Sequence, residues 1–284
     1  MDNKKFHNNL IVSTSPHIVT DEDTTKLMGT VLLAMLPALV ASTYIFGARV
    51  LLLAAVCIVA SVGFEWIYNM LAKKPQTISD LSAAVTGLLI AFNVPSSFPL
   101  WMAVIGCFVA IVVIKQLYGG IGRNFVNPAI TARIFLFISF AAQMTTWPLP
   151  RMAAKTDAVT GPTPLALVAG GASKADLPSN MDMFLGFTGG SLGEVSALAL
   201  LVGGLFLIWR KVISPAIPCA FLGTVFVIAL AYYKGDFNMA IFHVCAGGVM
   251  LGAFFMATDY VTSPKLTKGQ IMFGIGCGII TMAI

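Results

Sequence analysis

Long apolar stretches separated by short polar connections follow one another along the chain from about residue 27. A helix that crosses a bilayer needs about 20 predominantly apolar residues. Eight stretches have roughly the length and composition of such a helix. They lie near residues 27–46, 50–71, 99–118, 126–144, 192–209, 212–232, 238–256 and 269–284. The pattern predicts eight membrane-spanning helices.

A ninth apolar stretch is shorter, since it runs from Leu81 to Val94 and stops at Pro95. Irregular backbone at membrane depth is tolerated only inside the protein, so we predict a partly broken helix packed within the bundle. The predicted fold class is therefore an all-α polytopic membrane protein with nine visible transmembrane helices. The last stretch has no basic or aromatic anchor at its far end. Either that helix stops at the outer surface, or a C-terminal piece is lacking.

The composition agrees with a membrane protein and excludes a soluble one. Only 10% of the 284 residues are charged, 58% are apolar, and the mean hydropathy is +0.89. The net charge of +5 does not indicate nucleic acid, because the basic residues are scattered in short connections and form no groove-sized patch. Membrane lipid is the expected surrounding.

The basic residues instead predict the orientation in the cell membrane. With a cytoplasmic N-terminus, twelve Lys and Arg fall on the inner side and five on the outer side, a positive-inside bias. The inner ones are Lys4, Lys5, Lys26, Lys73, Lys74, Lys115, Arg123, Arg133, Arg210, Lys211, Lys265 and Lys268. The outer ones are Arg49, Arg151, Lys155, Lys174 and Lys234. Because five spans precede it, the polar segment 145–190 is predicted to be extracytoplasmic.

Four regions follow from this topology. Residues 1–26 are a polar cytoplasmic arm without the apolar core and cleavage site of a signal peptide, and Ser15-Pro16-His17 is expected to dock a neighbour. Residues 27–144 form a first membrane half of five helices, 145–190 an outer loop and 191–284 a second half. The cysteines lie in predicted helices without CxxC spacing, which favours packing thiols over a metal site: Cys57, Cys107, Cys219, Cys245 and Cys277.

The outer loop contains the run Asp157-Ala158-Val159-Thr160-Gly161-Pro162-Thr163-Pro164-Leu165, which presents two hydroxyl groups. Pro162 fixes its own φ near −65°, and Pro164 disfavours the helical region for Thr163. Thr163 is therefore predicted to be extended, rigid and accessible to another molecule. A bilayer crossing does not require such a segment.

The connection from Lys115 to Ala129 contains three glycines and the pair Asn124 and Asn127. The glycines let the backbone approach a ligand closely, and two amides three residues apart can point in one direction. Alternatively, this is a tight inner loop whose Asn and Pro begin the next helix. It is not a phosphate loop, because it matches neither GxGxxG nor GxxxxGK[ST].

Carboxylates at membrane depth are costly and point to function, so Asp80, Glu194, Asp259 and Glu65 are candidates for a cation path. Asp80-Leu81-Ser82-Ala83 and Glu194-Val195-Ser196-Ala197 are similar and fall on opposite membrane faces, as an inverted repeat would place them. The alternative is that these acids only stabilise helix N-termini. Residue order alone leaves both interpretations open.

Several motifs together resemble one family. They are Ser15-Pro16-His17, Asp80-Leu81-Ser82-Ala83-Ala84-Val85-Thr86-Gly87, Gly119-Gly120-Ile121-Gly122-Arg123-Asn124-Phe125-Val126-Asn127-Pro128-Ala129, Thr160-Gly161-Pro162-Thr163, Gly193-Glu194-Val195-Ser196 and Met256-Ala257-Thr258-Asp259. Their order is similar to that in the NqrB/RnfD family, which contains the RnfD component of the Rnf electron-transport complexes and the NqrB component of sodium-pumping NADH:quinone reductases. The resemblance covers nearly the whole chain.

The resemblance implies FMN joined by a phosphodiester to Thr163, although Pro162 stands where the family usually has alanine. It also implies a non-covalent riboflavin, for which Asn124 and Asn127 are the candidate contacts, and ten helices in two related halves in the full chain. The implied function is that of one component of an ion-translocating ferredoxin:NAD⁺ oxidoreductase that moves Na⁺ or H⁺. Its implied partners are the other components of the Rnf complex (A, B, C, E and G) and a flavin transferase. A redox-free channel or carrier is the alternative, because broken helices and paired halves also build transporters.

Overall fold

The computed structural model describes residues 23–150 and 160–284, and in these two ranges the secondary structure is helical. The motif Ser15-Pro16-His17, nearly all of the predicted arm, and Asp157 lie outside the described residues. The helices are α1 Thr24–Phe46, α2 Arg49–Leu71, α3 Ser82–Phe92, α4 Leu100–Gln116, α5 Pro128–Ser139, α6 Ala141–Met144, α7 Pro164–Ala169, α8 Asn180–Leu185, α9 Ala197–Trp209, α10 Ala216–Tyr232, α11 Phe237–Cys245, α12 Val249–Met256 and α13 Thr267–Ala283. The expectation of an all-α protein is confirmed.

Two helices, α1 and α2, are each long and apolar enough to cross a membrane. The pair α11 and α12 passes the same criterion as one span that is bent by 64°. α3, α4, α5, α9 and α10 are apolar but shorter. In the described residues, therefore, length and composition identify two or three spans rather than nine.

α3 is the short helix that the sequence predicts between Leu81 and Val94. All eleven of its residues are buried, so the expectation that it packs inside the bundle is confirmed. Its close contact with α2 depends on Gly87, where a Cβ atom would lie 2.6 Å from the carbonyl oxygen of Cys57. Any larger residue would push the two helices apart.

Three predicted spans have different boundaries in the structure. The stretch 126–144 is divided at Phe140 into α5 and α6. The stretch 192–209 becomes helical only at Ala197, where the Ser196 side chain caps α9 by accepting a bond from the Ala199 amide. The stretch 238–256 is broken between α11 and α12. Apolar composition located these helices correctly but did not predict where they are interrupted.

The non-helical start of the second half is fixed by backbone pairing with the end of α3. The Leu192 amide donates to the Val94 carbonyl and the Gly193 amide to the Phe92 carbonyl, at 3.2 and 2.9 Å. A Cβ atom on Gly193 would lie 2.5 Å from that of Phe92. Leu192 is therefore buried as part of an extended segment and not on a helix face.

The two halves pack against each other through the main hydrophobic core. α1 packs along α9, and a Cβ atom on Gly203 would lie 2.1 Å from the carbonyl oxygen of Ala34. The main core cluster contains residues of the first half, such as Phe92, together with Leu200 and Phe254 of the second. The predicted halves are thus tightly packed against each other.

Candidate functional site: two cavities beside ion pairs

The larger cavity has a volume of about 360 Å³ and lies where α1, α3, α4 and α5 meet the loop that follows α12. Its walls are largely apolar, with polar groups among them. The lining includes Leu27, Val85, Leu89, Phe254 and Phe255, and the polar residues Ser82, Thr86, Lys115, Asn124, Asn127 and Asp259. The structure thus brings the pair Asn124 and Asn127 together with Asp259, which the sequence singled out separately.

Asn127 begins α5, as one of the two interpretations of this loop predicts. Its Oδ1 accepts bonds from the amides of Ala129 and Ile130, and Pro128 occupies the first helical position. Asn124 is buried, and its Nδ2 donates to the Val126 carbonyl at 2.9 Å. The capping role is therefore confirmed, and both residues also line the larger cavity.

Lys115 is buried within a helix, and its assignment to an inner connection between helices is wrong. It lies in α4, where Val109–Gln116 is wound as a π-helix, and it is 3% exposed. Its Nζ lies 2.8 Å from Oε2 of Glu65 on α2 and also donates to Ser82 Oγ at 2.5 Å. π-helical turns often occur at functional sites. A glutamate inside the predicted span 50–71 was the sequence signal that a buried cation would be needed.

Hydrogen bonds extend from this ion pair to both sides. The Thr77 hydroxyl donates to Glu65 Oε1 at 2.5 Å and accepts from Asn69 Nδ2 at 3.1 Å. The Ser82 hydroxyl donates to Asp80 Oδ1, which also accepts from the Ser82 amide. Asp80 therefore stabilises the first turn of α3, as the helix-terminus interpretation predicts, and it is linked through Ser82 to the ammonium group.

Asp259 lies in the loop between α12 and α13 and faces the larger cavity. Its carboxylate accepts bonds from the Val261 amide and the Thr262 hydroxyl, at 3.3 and 3.2 Å. Burial raises the pKa of this carboxyl group, against the opposing effect of those two bonds. Asp259 is thus separate from Asp80, which does not line the cavity.

The smaller cavity, of about 180 Å³, contains Thr163 and Glu194 together. Its wall includes the backbone of four glycines, in the loop before α9 and at the break between α11 and α12: Gly189, Gly190, Gly247 and Gly248. Gly247 has a φ of 60°, and a Cβ atom on Gly248 would lie 2.8 Å from Glu194 Oε1. Larger residues at these two glycines would therefore fill part of the smaller cavity.

Thr163 is extended, with φ −70° and ψ 159°, as the flanking prolines predict. It begins α7, where its Oγ1 accepts a bond from the Ala166 amide at 3.2 Å, and it is half-buried beside the cavity. Thr160 is exposed, forms an isolated bridge with Pro148 and does not line the cavity. The two hydroxyls therefore have different surroundings.

Arg133 is the cation of the smaller cavity, and its assignment to an inner connection is wrong, because it lies within α5 and lines the same cavity as Thr163 of the predicted outer loop. Its Nη1 lies 2.7 Å from Glu194 Oε1 and 2.9 Å from Asn93 Oδ1 at the end of α3. Glu194 therefore forms an ion pair with Arg133 and does not cap α9, a role that belongs to Ser196. The motifs did not reveal Arg133 and Asn93 as site residues, because residues that meet from different helices leave no local spacing signal.

Both cavities suit the groups that the motifs imply. The larger one combines apolar walls with a few amide, hydroxyl and ammonium groups, the usual composition of a site for a flat organic ligand, and its volume falls in the range of about 300–1,000 Å³ typical of such sites. In the smaller one, Arg133 carries five N–H donors, of which the two bonds above both use Nη1. Donors therefore remain for a phosphate oxygen beside Thr163.

The described residues thus define a class: a helical protein of the membrane type, with a short buried helix, one bent helix pair and two cavities that each adjoin an ion pair between helices. The family described as NQR2, RnfD, RnfE matches residues 11–284 of the chain, which therefore belongs to this family.

Three relatives are similar over nearly the whole chain. The D subunit of the Na⁺-translocating ferredoxin:NAD⁺ oxidoreductase complex of Acetobacterium woodii is 48% identical over 278 residues, which are 97% of this chain and 85% of the relative. The proton-translocating counterpart of Clostridium ljungdahlii is 41% identical, over 96% of this chain and 85% of the relative. The D subunit of the ion-translocating oxidoreductase complex of Rhodobacter capsulatus is 36% identical, over 95% and 84%.

Proposed function

We propose that this chain is the D subunit of an ion-translocating ferredoxin:NAD⁺ oxidoreductase and acts in the cell membrane with the other subunits of that complex. The observation that carries the proposal is the 48% identity over 97% of the chain with a protein of that name. The two relatives with named ions differ in the ion, Na⁺ in one and H⁺ in the other. The proposal therefore covers both ions.

In the proposed complex, Thr163 carries FMN through a phosphodiester made by a flavin transferase. An extended, half-buried threonine beside a glycine-lined cavity supports this assignment. Arg133 would bind the phosphate, because an arginine fork matches phosphate geometry and Glu194 and Asn93 hold its Nη1 in place. The flavin would supply the electron transfer, while the chain supplies the attachment point, the cationic contact and the shelter from water.

A second, non-covalent flavin is proposed for the larger cavity. Asn124 and Asn127 both line it, and their amides can bond the polar edge of a flavin ring. The apolar side chains of α1 and α3 would contact the ring faces. The candidate cation path through Asp80, Glu194 and Asp259 is proposed as separate places and not as one site, because Asp259 lines the larger cavity, Glu194 lines the smaller one and Asp80 lines neither.

We also propose the number of membrane spans and the side of the membrane on which the loop 145–190 lies. Nine spans in two related halves are obtained if the shorter apolar helices cross the membrane within the bundle, if α11 and α12 count as one broken span, and if α13 also crosses. Residues 145–190 then lie on the outer side with Thr163. Contacts between connecting segments support this arrangement: Thr25 bonds the Ser79 carbonyl, both predicted inner, and Lys174 pairs with Asp236, both predicted outer.

In-gel flavin fluorescence tests the attachment. The wild-type chain, separated on a denaturing gel, should fluoresce under ultraviolet light, and Thr163→Val should abolish the signal. Thr160→Val is the matched control and should retain it, because Thr160 lies outside the cavity. A dark wild-type band from cells that contain the flavin transferase would contradict the flavoprotein assignment and favour a redox-free channel or carrier.

A further inference from the structure

The ion pair between Lys115 and Glu65 lies deep inside the bundle, next to the larger cavity. Its side chains are 4% and 1% exposed. Taking two charges out of water is costly, and replacing a buried ion pair by apolar residues of similar volume is often neutral or stabilising. Stability therefore does not account for the presence of this pair. Its position beside a ligand-sized cavity suggests a different reason.

The pair is oriented with its cation toward the cavity. Lys115 and Ser82 line the cavity, whereas Glu65 and Asp80 do not. An ammonium group has three N–H donors, and Lys115 uses two of them for Glu65 Oε2 and Ser82 Oγ. The third can bond an acceptor on a ligand. The carboxylate of Glu65 thus stands behind the ammonium group as seen from the cavity.

We propose that Lys115 is a positioning residue for the ligand of the larger cavity and that it opposes negative charge gained there, with Glu65 setting how strongly that positive charge acts. The proposal rests on the non-covalent flavin proposed above. An electron that enters a bound ring adds one negative charge unless a proton follows. A buried ammonium group nearby stabilises that charge, and a carboxylate behind it weakens the effect.

The neutral variant Glu65→Gln separates this role from a structural one. Glutamine has nearly the shape of glutamate and can still accept the bond from Lys115, but it no longer offsets the ammonium charge. The reduced form of the ligand should become more favourable, by about tenfold or more in the ratio of reduced to oxidised ligand at a fixed applied potential. The midpoint potential of that flavin should therefore rise.

The measurement is a spectroelectrochemical titration of the intact purified complex. The difference between each variant and the wild type identifies the flavin transition that moves. Asp236→Asn is the matched control, since it also removes one carboxylate but at the Lys174 surface pair, outside both cavities. It should move no transition. Asp259 remains unchanged in every variant.

Lys115→Met alone would leave a buried carboxylate without its cation and can prevent folding. The double variant Glu65→Gln, Lys115→Met replaces the ion pair by a neutral pair. Because Lys115 is the member that faces the cavity, the midpoint potential should fall below that of the wild type. The expected order is Glu65→Gln highest, wild type in the middle and the double variant lowest.

Failure of the proposed second flavin and failure of the role of Lys115 and Glu65 give different results. Riboflavin extracted with acid from the wild-type complex should be present, and its absence would contradict the proposed second flavin. If riboflavin is present but the midpoint potentials of all variants equal that of the wild type, the role of Lys115 and Glu65 is overturned. A loss of riboflavin with an unchanged potential in the retained fraction would show a purely structural pair and would also overturn the inference.

Discussion

Arg133 lies where three separate segments meet, on α5, beside the end of α3 and the start of the second half. Glu194 and Asn93 hold its Nη1, its side chain is 35% exposed, and the residue lines the smaller cavity. A guanidinium held in this way is preorganised, because little further side-chain entropy is lost when a ligand binds.

The first prediction concerns attachment of flavin to Thr163. The double variant Arg133→Gln, Glu194→Gln keeps the pair neutral and removes the cation, so the initial rate of flavin attachment should fall about tenfold or more. In-gel fluorescence over time, with the flavin transferase present, measures this rate. Lys174→Gln is the control, because it removes an exposed cation in the same outer loop region. An equal rate of flavin attachment in both variants would show that Arg133 does not assist the attachment.

The second prediction concerns Asp259 and pH. Burial raises the pKa of this carboxyl group, so folding favours its protonated form. The stability gained in this way is fully present below the ordinary pKa of aspartate and is lost as the pH rises through the raised pKa. Asp259→Asn should therefore raise the unfolding midpoint at pH 7, by about 2–4 °C, and have almost no effect near pH 4. Thermal unfolding in detergent at both pH values measures it.

Asp176→Asn serves as the control for that experiment, since Asp176 is exposed. A midpoint shift of Asp259→Asn that is the same at both pH values would show that the change acts through packing or hydrogen bonding and not through the ionised carboxylate.

At the residue scale, local rules predicted those features that arise from neighbours in sequence. Flanking prolines were sufficient to predict the extended Thr163, and the Asn-Pro pair predicted the start of α5. Lys115 was misassigned because its partner, Glu65, lies fifty positions earlier. Which charge a buried lysine meets depends on helix packing, and residue order does not reveal it.

At the scale of elements, helix contacts depend on glycines that let backbones approach each other. Gly203 of α9 faces the Ala34 carbonyl of α1, whereas Gly223 of α10 has no neighbouring atom within 4 Å of its added Cβ. The two positions are both inside helices, so they form a matched pair for substitution by alanine.

The third prediction is that only the first of these two substitutions destabilises the protein. Gly203→Ala should destabilise by about 1–3 kcal/mol, because the methyl group forces α9 away from α1. Gly223→Ala should be neutral or stabilise by up to about 1 kcal/mol, because alanine is the better helix former. Unfolding midpoints of the detergent-solubilised protein measure both, and a similar loss in the two variants would contradict the close contact between α1 and α9.

Element boundaries were predicted less well than element positions. The apolar side chains of Leu192 and Val195 are buried, at 1% and 3% exposure, although they precede α9. Apolar residues are equally suited to a helix and to an extended segment inside the protein. Here the extended segment bonds the carbonyls of Phe92 and Val94, so hydropathy alone does not show where α9 begins. The break between α11 and α12 could not be inferred from composition for the same reason.

At the scale of the whole molecule, segments predicted to lie on the same side of the membrane meet in the structure. The loops around Asn124 and Asp259 share the larger cavity, and the segments around Thr163 and Thr188 share the smaller one. The Arg49 side chain donates to the carbonyls of Ser96 and Ser97, which joins two predicted outer turns. Packing therefore agrees with the charge asymmetry for these segments but not for Arg133, which the charge count places on the inner side and which lies with the predicted outer segments at the smaller cavity.

The fourth prediction tests the proposed orientation. With the exposed Cys219 replaced by alanine, Thr160→Cys should react with a membrane-impermeant maleimide in intact cells. Lys265→Cys should react only after the membrane is opened, because its loop is predicted to face the cytoplasm. Gel-shift labelling measures both, and the reverse pattern would invert the topology.

The contact of α1 with α9 can form only after a delay during synthesis. About 150 residues separate the end of α1 from the start of α9, and translation at about 5–20 residues per second delivers them over roughly 8–30 s. During that interval α9 does not yet pack against the surface of α1 around Ala34. The newly inserted first half must therefore be shielded by lipid or by the insertion machinery, and a pause in synthesis before residue 197 would prolong its exposure.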